Sequence, residues 1–213
     1  MLIVDLKRRM AKVIRLLKRE YPEAECSLLH RNAFELLVAT ILSAQCTDSR
    51  VNKITPALFT KYGNPHKMVY ADINEIEKLI RSAGFFRNKA RSIKAVSGAI
   101  VEQHGGDVPN NLEALMQLKG VGRKTANVVL ANAFGIPAIA VDTHVGRLCR
   151  RIGFTKSNNA VKIEYELMEL VRPGDWIIVS HLLIQHGRKV CTARRAYCER
   201  CVLSHDCDSS TVR

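Results

Sequence analysis

The sequence contains no long apolar run. Its most apolar stretch, Val128 to Val141, is interrupted by Asn132, Gly135 and Pro137 and is too short to cross a membrane, so no transmembrane segment is expected. Glycine and proline are also sparse, 12 and 6 in 213 residues, which excludes a collagen-like or low-complexity chain. The largest deficit is in acid: 20 Asp and Glu stand against 33 Lys and Arg, a formal net charge of +13. A basic excess of this size points to a polyanionic partner, most often nucleic acid. What remains is ordinary. Hydrophobic residues make up 47% and charged residues 25%, the composition of a globular protein and not of a disordered one. The length suits one large domain or two small ones, with a core that needs no disulfides.

Nearly every periodic segment reads as helix. Phe34, Leu37, Val38, Ile41 and Leu42 recur at three- and four-residue spacing, as do Ile73, Ile76, Leu79 and Ile80, and then Ile93, Val96, Ile100 and Val101. Leu112, Leu115 and Leu118 continue the pattern, and Ala126, Val129, Leu130 and Ala133 resume it after a short break. Gly63, Gly84, Gly105 and Gly135 punctuate the ends. Only Ala138 to Val141 has strand character, and it is short and isolated. The expected fold class is all-α. Ile3, Leu6, Met10, Val13, Ile14 and Leu17, interleaved with Lys and Arg, suit a transit peptide or membrane-surface helix by spacing. Asp5, the lack of serine and the run into Pro22 without a cleavage signal favour the first helix of the fold, basic on its outer face.

Between two helical patterns lies Leu118-Lys119-Gly120-Val121-Gly122-Arg123-Lys124-Thr125-Ala126. Two glycines one residue apart allow a sharp turn and close approach to a ligand. The helix that follows presents unpaired N–H groups and a partial positive charge, both suited to phosphate. A plain turn between helices needs only one glycine. Lys124, in the first helical turn, opposes the helix dipole at a cost of about 0.3–1 kcal/mol. A phosphate contact is the modest explanation. The sharper one is a nucleophile, because the dipole and Arg123 disfavour the ammonium form and burial in a pocket would disfavour it further. Asp142, after an apolar run and before Thr143-His144, reads as a helix N-cap.

The seven cysteines fall into two groups. Cys26, Cys46 and Cys149 sit in apolar contexts as small buried hydrophobes. Cys191, Cys198, Cys201 and Cys207 form C-x6-C-x2-C-x5-C, a spacing able to hold zinc or a [4Fe–4S] cluster and not decisive between them.

The segments LKGVGRKTANVVL, VDTHVGR at 141–147 and the cysteine cluster together strongly resemble the endonuclease III family, helix-hairpin-helix DNA glycosylases with an iron–sulfur cluster. LSAQCTD at 42–48 and GFFRNKA at 84–90 match two further family segments, so the resemblance spans essentially the whole chain. It implies a bifunctional DNA glycosylase/AP lyase that excises oxidised pyrimidines from duplex DNA. Lys124 would be the nucleophile, and Asp142 would face it across the cleft as a second catalytic group. The resemblance also selects a [4Fe–4S] cluster on Cys191, Cys198, Cys201 and Cys207. Gln45 and Phe85 match positions that fill the space left by a flipped base; the family usually has leucine where this chain has Phe85, so the wedge is bulkier. Arg87 and Lys89 are expected on the DNA backbone beside it. Gly120, Gly122, Arg123, Thr125, His144, Arg194 and Arg195 are further expected DNA contacts.

The expected domains are a helical barrel over 26–136 and an iron–sulfur domain made of 1–25 and 137–213, with DNA across the cleft. The expected partner is double-stranded DNA carrying damaged bases or abasic sites, bound by a cytoplasmic monomer. Rival readings are a glycosylase of the same fold with another lesion preference, a non-catalytic DNA-binding iron–sulfur module, and a ferredoxin-like carrier. Lys124 and Asp142 argue against the second; the basic charge and open cysteine spacing argue against the third.

Overall fold

The computed structural model describes residues 3–212; the outermost residues of the expected domain ranges lie outside the described residues. In chain order the α-helices are α1 (Ile3–Glu20), α2 (Ala33–Ser43), α3 (Asp48–Tyr62), α4 (Pro65–Tyr70), α5 (Ile73–Leu79), α6 (Phe86–His104), α7 (Leu112–Gln117), α8 (Arg123–Phe134), α9 (Thr143–Ile152), α10 (Ala160–Leu170) and α11 (Trp176–Lys189). The described residues contain no β-strand, and one isolated antiparallel bridge joins Cys191 to Ala196. The chain is all-α. The apolar run 138–141 is buried but does not pair as a strand, and the Ala140 N–H bonds the Ser180 hydroxyl at 3.1 Å.

Two compact units divide the chain, Cys26–Ile136 and the combination of Met1–Glu25 with Pro137–Arg213. In the first, α2 is the central helix and is buried along nearly its whole length, from Phe34 to Leu42. It packs on α3, α6 and α8, which suits a helix apolar on all sides. Its start is fixed reciprocally. The Asn32 side chain accepts from the Glu35 N–H at 2.9 Å, and the Glu35 carboxylate accepts from the Arg31 N–H at 2.8 Å. This resembles a capping box, with the glutamate reaching one residue past the Asn32 cap to the Arg31 N–H.

In the second unit, α1 buries Met10, Val13, Ile14 and Leu17 against Val145, Leu148 and Ile152 of α9, Ile163 and Leu167 of α10, and Leu182 and Leu183 of α11. Each such side chain contributes about 1.5–3 kcal/mol when fully buried. The first helix of the sequence is therefore part of a core. Cys149 lies inside this core, and burial pushes its thiol up to about 12. Cys26 and Cys46 differ from expectation, since both are only half-buried.

Candidate active site

The hairpin is built as a tight turn between α7 and α8. Asn111 caps α7 by accepting from the Ala114 N–H at 2.8 Å. After Leu118 the Val121 N–H returns to the Leu118 carbonyl at 2.9 Å. Gly120 has φ of +87°, a region that strains any side chain. Leu118 and Val121 are buried and anchor the turn from below. Gly122 is the N-cap of α8 and offers no side-chain acceptor. No side chain caps the first turn of α8, and the partial positive charge of the helix start favours an anion. Lys124 stands exposed on this turn. The expected burial of the lysine is not provided by the free protein. Arg123 and Thr125 are half-buried beside it.

An open pocket of about 670 Å³ in the same unit is lined by Gln45, Phe85, Lys89, Gly120 and Thr125 together with Thr40, Asn88 and Ser92. It gathers residues that are far apart in sequence. Gln45 (φ +52°) and Phe85 (φ +47°) are the two non-glycine residues with positive φ among the described residues. Each such conformation costs about 1–3 kcal/mol, and strain of this kind collects at functional sites. Phe85 is 67% exposed, far more than an apolar ring in a core.

Lys89 corrects the sequence reading. It was expected on the DNA backbone, yet it is buried, and its ammonium donates to the Ala83 carbonyl at 2.6 Å. Burial lowers its pKa. Lys89 therefore ties down the turn that holds Phe85 out, and its charge is engaged inside the protein. Helical spacing beside the exposed Phe85 hid this, because position 89 falls on the core face of α6. Arg87 remains exposed, with its guanidinium over the Phe86 ring at 5.4 Å from the centroid.

In the other unit Asp142 caps α9, its Oδ1 accepting from the Val145 N–H at 2.8 Å. His144 is half-buried, and burial, its largest influence, lowers its pKa. The ring lies 3.1 Å from Arg147 Nη2 and bonds the Gly187 backbone, so it is held by the protein and is not a free cationic contact. Arg147 and Arg151, one turn apart on α9, fasten the cysteine loop: Arg147 Nη2 donates to the Cys191 carbonyl at 2.9 Å, and Arg151 Nη1 donates to the Thr192 carbonyl at 2.7 Å. Their four-residue spacing was the available signal in the sequence.

Cys191, Cys198, Cys201 and Cys207 line one cavity, and all are free thiols. No three His, Cys, Asp or Glu side chains among the described residues close round a single metal ion. The sulfurs meet donors suited to thiolate charge. Arg151 Nη1 is 3.2 Å from Cys191 Sγ, and the Leu203 N–H is 3.4 Å from Cys201 Sγ. Hydrogen bonds from the Thr211 backbone and side chain lower the Cys198 pKa. Burial pushes Cys201 up to about 11 and raises Cys207, with the neighbouring cysteines adding repulsion. A cationic centre shared by the four would relieve both costs.

The loop between Cys191 and Cys198 is stiff. The Thr192 hydroxyl donates to the Arg195 carbonyl at 2.7 Å and accepts from the Arg195 N–H at 3.1 Å. The Arg195 and Arg200 guanidiniums lie 4.8 and 4.3 Å from the Tyr197 ring centroid. Arg194 and Arg195 are exposed on this support. Tyr197 and Arg200 were not anticipated; an aromatic residue flanked by arginines beside a cysteine ligand was the signal.

A hairpin of this build in an all-α chain is that of a helix-hairpin-helix DNA-binding protein. The family described as HhH-GPD superfamily base excision DNA repair protein matches residues 38–173. Endonuclease III of a Synechocystis strain is 52% identical over 96% of this chain and 94% of its own length. Endonuclease III of Bacillus subtilis is 47% identical over 91% and 89%. The solved structure of a trapped endonuclease III–DNA covalent intermediate superposes with a TM-score of 0.91 at 44% identity, covering 95% of this chain and 96% of that one. The chain belongs to the HhH-GPD superfamily of base excision DNA repair proteins and, within it, to the endonuclease III family.

Proposed function

We infer that this chain is a bifunctional DNA glycosylase and AP lyase, acting as a monomer in the cytoplasm on damaged bases, oxidised pyrimidines above all, in duplex DNA. The observation that carries the reading is a lysine exposed on the first turn of a helix whose N-terminus is open to phosphate. The hairpin holds the backbone of the lesion strand, and the target nucleotide flips out at a cost of a few kcal/mol. Gln45 and Phe85, already held in strained conformations at one pocket, fill the vacated space. The flipped nucleotide then covers Lys124 and supplies the burial that the free protein lacks. Lys124 Nζ attacks the sugar C1′ as the bond to the base breaks; the amine gives up its protons, one of them passing to the departing base, and the C1′–O4′ ring bond opens. The resulting Schiff base acidifies the C2′ protons, and elimination breaks the 3′ phosphodiester bond. Asp142 stabilises positive charge on the sugar or takes a proton. The decisive experiment is borohydride trapping on duplexes carrying different lesions. Strong trapping with oxidised pyrimidines and little with alkylated purines is expected; the reverse pattern would reassign the lesion class.

Four free cysteines line one cavity, and their C-x6-C-x2-C-x5-C spacing resembles that of the endonuclease III family, so a [4Fe–4S] cluster is the reading preferred to zinc. When bound, the cluster cross-links the C-terminal segment. The protein is expected to be brown and to contain iron and acid-labile sulfide. A colourless protein with one tightly held zinc would overturn this assignment.

Arg194 and Arg195 act on phosphates. Replacing both with alanine should weaken binding to damaged and undamaged duplex alike. It should also flatten the salt dependence by up to about 0.9 for each phosphate left unneutralised. Titrations at several salt concentrations check this, and weakening confined to one lesion would contradict it.

A further inference from the structure

Beyond the cysteines themselves, one buried polar chain reaches the cavity they line. Tyr21, just past the end of α1, and His186, in α11, are both buried, at 7% and 1% exposure. The Tyr21 hydroxyl lies 3.0 Å from His186 Nδ1. The other ring nitrogen, Nε2, lies 3.3 Å from Cys201 Sγ. The two rings are tilted at 59° with centroids 5.9 Å apart, and the Lys189 ammonium sits 5.3 Å from the Tyr21 ring centroid.

We propose that Tyr21 and His186 form a hydrogen-bond relay that ends on Cys201 and raises the reduction potential of the cluster bound there. The proposal rests on the reading of the four cysteines as ligands of a [4Fe–4S] cluster. Its logic is the count of donors. A cysteine sulfur bound to iron has no proton and can only accept. Nε2 must then carry the hydrogen of a neutral ring, and Nδ1 is left as an acceptor. The Tyr21 hydroxyl must point toward it and donate. With a free thiol at Cys201, the opposite direction is equally well formed: sulfur donates to Nε2, and Nδ1 donates to the tyrosine oxygen. Cluster binding thus selects one direction for the whole relay. The interior offers no bulk water to repair a mismatch, so the direction is enforced. A hydrogen bond to a ligating sulfur draws electron density from it and favours the more reduced cluster. Tyr21 and His186 are positioning residues: His186 meets the Cys201 sulfur, and Tyr21 acts through His186.

The test uses the holoprotein, with iron and sulfide content measured first. Protein-film voltammetry then compares wild type with Tyr21→Phe, His186→Phe and the double variant. Removing the imidazole donor should lower the potential enough to change the oxidised-to-reduced ratio about tenfold at a fixed electrode potential, about 59 mV for one electron. Tyr21→Phe keeps the ring and its packing, and it should shift the potential in the same direction by less. Because the two residues act in series, the double variant should match His186→Phe and not the sum of the two. Iron–sulfur(cysteine) stretching frequencies should rise in the same order, while trapping on damaged duplex stays within about twofold. If His186→Phe does not fold, Tyr21→Phe alone decides. A loaded Tyr21→Phe protein with an unchanged potential and spectrum overturns the relay. Wild type without iron and sulfide overturns instead the cluster reading on which the relay rests.

Discussion

Lys124→Ala should abolish borohydride trapping and lower base release by at least about 10³-fold, the scale lost when a covalent nucleophile is removed, while binding of damaged duplex is largely retained. On the proposed reading, the contacts that hold the strand come from the backbone around Gly120 and Gly122 and from the uncapped start of α8, and the substitution leaves these in place. Stability should not suffer. A lysine on the first turn opposes the helix dipole by about 0.3–1 kcal/mol, and alanine is the better helix former, so the variant should melt at or slightly above the wild-type temperature. A destabilised variant would mean that the lysine has a structural role in the free protein, which its exposure argues against. Gel-based trapping, single-turnover base release and thermal melting separate these outcomes. A variant that still forms the covalent adduct would remove Lys124 as nucleophile.

What the sequence disclosed depended on how local the determining physics was. Helices and caps are local, so the all-α class and Asp142 as a cap could be read from spacing and residue type. Lys89 could not. Whether a lysine three residues into a basic segment points out or in depends on which face of α6 meets the rest of the unit, and only packing decides that. The same holds for the strain at Gln45 and Phe85: nothing in either residue type calls for a left-handed backbone. The cysteine spacing was plain, but its setting was not. Arg147 and Arg151 of α9 hold the start of the loop, and His186 of α11 reaches Cys201. These partners come from separate helices that meet only in the folded core.

The pocket and the hairpin make sense together once Lys89 is placed correctly. An exposed phenylalanine at positive φ is unfavourable twice, in backbone strain and in apolar surface left in water. A buried ammonium bonded to the Ala83 carbonyl holds the preceding turn in place. If Phe85 is the wedge, it is formed before DNA arrives, and binding energy is not consumed in ordering it.

Asp142 has one observed role, as a cap, and one proposed role in catalysis, and asparagine distinguishes them. Its Oδ1 accepts from the Val145 N–H at 2.8 Å, and an asparagine oxygen does the same, so Asp142→Asn should change stability by only a few tenths of a kcal/mol. Asp142→Ala loses the cap and should cost about 1 kcal/mol, a fall in Tm of about 2–4 °C for a chain of this size. The negative charge is a different matter. It is absent from both variants, and with it the means to stabilise a cationic sugar or accept a proton. If Asp142 is catalytic, Asp142→Asn should melt like wild type, bind damaged duplex as well or better, and release base at least about tenfold more slowly, a threshold set below the roughly 10²–10⁴-fold of general acid–base effects. His144 does not confuse the result. Burial is what chiefly holds its pKa down, and the Asp142 charge acts in the opposite, raising direction. Removing that charge pushes the His144 pKa further down, so the substitution creates no new cation at that position. Single-turnover rates and melting curves on both variants give the answer. A normal rate in Asp142→Asn, with reduced stability and a normal rate in Asp142→Ala, would make the residue a cap and nothing more.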